Sequence, residues 1–232
     1  MQYATLKQRH RQERDSQPVN LSLRLHRALS WLNRAEQFED DDGRFIFLWI
    51  AFNAAYATEI DERYRLSEQA TFREFLKKLC DLDTSQCLSN LVWQTFPGAI
   101  RVLLDNPYVF QSFWDFHSGK IDEAEWQKRF TEGKRRAHQA LANGNTPELL
   151  GVVFNRIYTL RNQLIHGGAT WNSAVNRDQL RDCVRLMSQL VPLVITVMMD
   201  NPHALWGDAC YPVVGVMFFL FVTKPRISLG RH

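Results

Sequence analysis

Residues 44–60, RFIFLWIAFNAAYATEI, are apolar nearly all the way round a helical wheel. A helix with no polar face cannot lie on a surface, so the rest of the chain has to surround it, and it is expected at the centre of the core. The material to do so is helical. LSLRLHRALSWLNRAEQF places Leu21, Leu25, Ala28, Leu29 and Leu32 at helical spacing with arginines between them. The acidic turn EDDDG separates this first helix from the apolar one at Gly43.

Helical patterns continue through FREFLKKLCDLD and SQCLSNLVWQTFPGAIRVLLDNP, where Pro97-Gly98 should bend or split the segment. YVFQSFWDFHSG follows, then the mostly polar DEAEWQKRFTEGKRRAHQALANGN, whose basic cluster Lys134, Arg135 and Arg136 reads as a solvated face. A well-marked helix begins at Thr146-Pro147-Glu148, with Thr146 suited to cap, Pro147 to the first position and Glu148 to the dipole. It closes at Gly167-Gly168. NRDQLRDCVRLMSQLVPLVITVMMDNP predicts a last long helix, kinked near Pro192.

No strand alternation precedes residue 200 and no solenoid repeat is present, so the expected fold class is all-α. Three regions are expected: a polar, mobile arm over 1–19, a helical domain over 20–200, and an extension over 201–232. The apolar YPVVGVMFFLF of the extension suits a short strand, a packing arm or a partner-binding segment.

A net charge of +3 permits an RNA or phosphate partner without the strongly basic balance of a dedicated nucleic-acid binder. The four cysteines show no C-x-x-C spacing, and no signal peptide opens the chain; reduced thiols and a cytoplasmic location are expected. The apolar runs 45–52 and 213–222 fall short of the ~18–20 residues that span a bilayer, so no membrane is expected. Phosphate-loop, dinucleotide, zinc-protease and nucleophile-elbow motifs are all missing. The seven histidines contain no i,i+3 or i,i+4 pair, so neither a metal nor a cofactor is expected.

What stands out is YTLRNQLIHGG, residues 158–168. With Leu149 set at zero on the wheel, the apolar positions of this helix fill an arc from about 0° to 160°, and Arg161 lands inside it at about 120°. A guanidinium there needs an anion, a polar cleft or a route to solvent. His166 lies about 140° further round, in the last turn. The helix dipole favours its protonated form and the nearby arginine opposes it, a balance that suits acid or base work near neutral pH. The spacing carries no weight by itself, since Arg226 and His232 in the tail share it. An ideal helix keeps the two side chains apart, so one shared cleft requires a distorted last turn or a second subunit.

On Arg161, Asn162 and His166 with the glycines after them, together with ALSWLNRAE near the start and FLWIAFNAAYA in the central helix, the chain resembles the HEPN superfamily over most of residues 20–200. The resemblance implies a HEPN-like helical bundle with a long motif helix, extra helices in the middle and a short C-terminal extension. It implies metal-independent RNA cleavage in a cleft between two copies of the chain. His166 would transfer protons, Arg161 would hold the phosphate, and Asn162 would orient either one or contact the backbone. A toxin or phage-defence role is implied too, with an antitoxin partner such as a small nucleotidyltransferase. Asn53, the strongly polar side chain in the central helix, either ties that helix to a neighbour or lies beside the cleft. Arg24 and Arg27 are candidate RNA contacts or surface charges, and Arg34 shares their helix. Two alternatives stay open: a non-catalytic HEPN module binding nucleic acid, nucleotide or protein, and a structural helical dimer whose apolar tail recruits another component.

Overall fold

The structure is a computed structural model that describes residues 2–57, 68–174 and 176–211. The described residues form an all-α protein of ten helices and contain no strand. The apolar segment takes the place its composition demands. Helix α3 (Asp41–Tyr56) buries Phe45, Leu48, Trp49, Ala51, Phe52 and Ala55 against α2 (Val19–Glu36), α9 (Thr146–Ile165) and α10 (Arg177–Asp200). It starts earlier than the pattern predicts, because the Asp40 carboxylate accepts from the Gly43 N–H at 2.9 Å and draws the acidic turn into the first helical turn.

Around α9 pack α4 (Glu68–Leu82), α6 (Pro97–Asp105) and α8 (Glu123–Ala142). Between α4 and α6 lie the short α5 (Cys87–Asn90) and a wide turn, Leu91–Thr95, with Pro97 opening α6. The proline splits the segment as its missing N–H requires. Helix α7 (Gln111–His117) leads into α8.

Three expectations change. The polar arm is helix α1 (Gln2–Glu13), which packs on α2 and α10. Its Tyr3 and Leu6 lie against the core, His10 is buried with Nε2 3.2 Å from the Ser22 carbonyl, and Arg9 reaches Asp200 at 2.7 Å. A polar composition hid these few anchoring contacts. The cap of α9 is Asn145, whose side chain accepts from the Glu148 N–H at 3.1 Å; Thr146 is turned instead to receive the Trp93 indole N–H at 2.8 Å. Helix α10 continues through Pro192 to Asp200. By length and composition α10 could cross a bilayer, but 67% of its apolar window is buried inside the fold, as in a core helix.

The extension begins as part of the domain. Trp206 is buried, rests 5.0 Å from the Lys78 ammonium, and donates its indole N–H to the Asn201 carbonyl at 2.9 Å. The apolar run 213–222, the tail arginine and histidine, and the end of the second predicted helix beyond residue 57 lie outside the described residues.

Candidate functional site: the end of helix α9

Helix α9 stays regular to its end. The His166 N–H returns to the Asn162 carbonyl at 3.0 Å, and Gly167 then takes φ +69°, a left-handed conformation that glycine adopts without strain. The Gly167 N–H bonds Leu164 O at 3.3 Å and the Ala169 N–H bonds Gln163 O at 3.2 Å, closing the last turn. No distortion therefore brings Arg161 and His166 together within one chain. Their side chains leave the helix about 140° apart, as the wheel requires.

Arg161 is half-buried with no acidic partner among the described residues. Its Nη1 donates to the Asn162 carbonyl oxygen at 2.8 Å, and its guanidinium carbon lies 5.9 Å from the Trp49 ring centre and 5.6 Å from that of Tyr158. The Nε atom is buried and unpartnered. Asn162 and the two rings hold the cation in place without neutralising it, so its charge is kept for an incoming anion. His166 is exposed, and its imidazole has no hydrogen-bond partner among the described residues. Ile165 and Trp171 beside it are also exposed, Trp171 at 74%. That much bare apolar surface around a helix end suits a facing chain or a stacked base.

Asn53 is exposed one turn beyond Trp49 on α3. It lines a slot of about 110 Å³ with Trp49, Tyr56, Phe72, Asn155 and Tyr158. Two of those rings, Trp49 and Tyr158, are the ones that hold Arg161, so Asn53 lies on the far side of a shared aromatic wall and does not tie the helix internally.

The remaining two candidates are elsewhere in the fold. Arg24 is 1% exposed and donates to the carbonyls of Ala55, Tyr56, Trp206 and Gly207. Burial lowers its pKa to about 10, which leaves it charged at neutral pH, but it has no access to a ligand. Arg27 donates to the carbonyls of Cys210 and Tyr211. Both clamp the chain after α10 onto α2, so the expectation that they contact RNA is corrected; the signal for this lay in a segment too short to show helical periodicity.

The sequence reading passed over Arg156. It sits at about −20° on the same wheel, directly beside Leu149 and Leu160, so the argument that singled out Arg161 applies to it with more force. Among the described residues no three His, Cys, Asp or Glu side chains gather as a metal site would need. No protein-family model, no curated protein and no solved structure matches this chain.

Proposed function

We propose that the chain is a metal-independent endoribonuclease that cleaves RNA in a cleft formed when the α9 ends of two copies face each other. One observation carries the reading: Arg161, a half-buried cation with no acid beside it, is fixed by Asn162 and two aromatic rings one turn before the bare, exposed imidazole of His166.

In the proposed reaction, one imidazole removes the proton of a ribose 2′-hydroxyl, whose oxygen attacks the adjacent phosphorus. Arg161 binds the phosphorane as negative charge builds on its oxygens. A protonated imidazole gives its proton to the departing 5′-oxygen, leaving a 2′,3′-cyclic phosphate and a 5′-hydroxyl. Base and acid have to act on opposite sides of the phosphorus, and each chain offers one such histidine. A two-fold dimer supplies the second, because equivalent residues face one another across an isologous interface. Exposed Ile165 and Trp171 favour burial of this helix end against another copy.

The test is cleavage of defined RNA in the presence of a chelator. His166→Ala should lower the rate by about 100-fold or more, with an unchanged melting temperature because the side chain is exposed. Undiminished cleavage by that variant sinks the assignment. Growth arrest on expression, relieved by the same substitution, would support a toxin or defence role, with an antitoxin as partner. The roughly 140° between Arg161 and His166 in one chain favours a second reading, a non-catalytic nucleic-acid-binding module. A protein that binds RNA as a monomer at every concentration and never cleaves it selects that reading.

A further inference from the structure

Arg156 presents a charge that the fold leaves unanswered. Its side chain is 3% exposed, and no described residue gives it a hydrogen bond or an ion pair. Its Nε is buried and bare. The guanidinium carbon lies 4.1 Å over the Phe110 ring, a contact worth up to about 2 kcal/mol when desolvated. Burying an ion costs several kcal/mol, so the ring offsets only part of it. Burial lowers the Arg156 pKa to about 10, still well above neutrality. The cation persists.

It also has somewhere to direct that charge. Arg156 lines a cleft of about 410 Å³ between α8 and α9, and the other charged lining residues are Arg73, Arg129, Arg136 and Glu132. Four cations face one anion. Glu132 lies 3.3 Å from Arg136, and Arg129 lies 2.7 Å from Glu125, which leaves Arg156 as the enclosed and unneutralised member. Gly133 in the middle of α8 keeps the space open: a Cβ there would lie 3.4 Å from Arg156 Nη2 and 3.4 Å from the Phe110 ring. A glycine within a helix costs about 0.5–1 kcal/mol relative to alanine, and here it admits the guanidinium.

The cleft adjoins the aromatic slot beside Asn53, since Asn155 and Tyr158 line both. We propose that the two together form a nucleotide site, with the phosphate on Arg156 and the base in the slot of Trp49, Tyr56 and Phe72. There the amides of Asn53 and Asn155 can meet the base edge. A bidentate guanidinium matches a phosphate's oxygens, and flat rings take any base by stacking. The nucleotide can be free or one unit of an RNA strand, because both present the same base and phosphate. Neither His166 nor a second copy of the chain takes part, so the site stands apart from the cleavage reading.

The experiment is thermal melting of the full chain against inorganic phosphate, nucleoside 5′-monophosphates and a short single-stranded oligoribonucleotide. Stabilisation by phosphate is expected at millimolar concentrations, and by a monophosphate at concentrations at least about tenfold lower, as the base adds stacking. Arg156→Met should remove both responses yet leave the unliganded melting temperature level or higher, because an apolar side chain replaces an unpaired buried charge. Gly133→Val, which fills the cleft without removing a charge, should also abolish them, and His166→Ala should leave them intact. Persistence of the monophosphate response in Arg156→Met overturns the proposal, as does a monophosphate response no stronger than that of phosphate. Where the site is present, a tighter response to the oligoribonucleotide assigns the nucleotide to a strand, and a response to monophosphate alone assigns it to a free ligand.

Discussion

Three buried or half-buried arginines carry the same charge to different ends. Arg24 satisfies backbone carbonyls, Arg161 is held ready at a helix end, and Arg156 faces an enclosed cleft with no partner. Substitution separates them. Arg24→Ala leaves buried carbonyls without donors and should destabilise the protein by about 3 kcal/mol, lowering the melting temperature by roughly 6–12 °C. Any RNA cleavage per folded molecule should survive; lost cleavage without lost stability would contradict the placement. Asp42, buried, accepts from Arg177 at 2.7 Å and 3.4 Å and joins the start of α3 to the start of α10. Because Arg177 is partly exposed, Asp42→Ala should cost about 2 kcal/mol, between surface and buried pairs, measurable by urea denaturation.

At the scale of elements, α1 has the least to hold it, and its hold depends on proton binding. Burial, followed by the charge of Lys7, lowers the His10 pKa below its ordinary 6.5, and burial does the same to His26, whose ring centre lies 6.3 Å away. A histidine whose folded pKa is depressed binds fewer protons folded than unfolded. Its contribution is therefore complete above about pH 6.5 and is lost as the pH falls through the depressed value. Hydrogen exchange of the α1 amides should be flat above pH 6.5 and accelerate below it, ahead of the rest of the molecule. His10→Gln should remove that step; an unchanged step would assign it to other groups. Helices α3 and α9 behave differently, since Phe52 and Phe154 meet at 4.7 Å in the core and Phe52→Ala should cost about 3–5 kcal/mol.

For the whole molecule, the regular end of α9 makes the active form a question of assembly. A single chain presents Arg161 and His166 on different sides, so cleavage per mole of protein should fall on dilution in step with dissociation of a dimer followed by sedimentation. Trp171→Glu should push the balance toward monomer by burying charge in the contact. Activity that is constant per mole across dissociation would remove the need for a composite cleft.

The sequence by itself determined the helical class, the central place of residues 44–60, the splitting at Pro97 and the glycine-closed end of α9. Each follows from periodicity or from the backbone limits of one or two residue types, which act locally. It also singled out Arg161, because a charge inside an apolar arc can be read from spacing alone. Tertiary structure decided what the other charges do. Arg24 and Asn53 sit one turn from apolar neighbours in similar patterns, yet the first is enclosed by the chain after α10 and the second stands open beside a slot. The docking of α1 and the partnerless burial of Arg156 were likewise settled by which distant segments arrived there. Burial of a polar group depends on those arrivals, and local spacing carries no record of them.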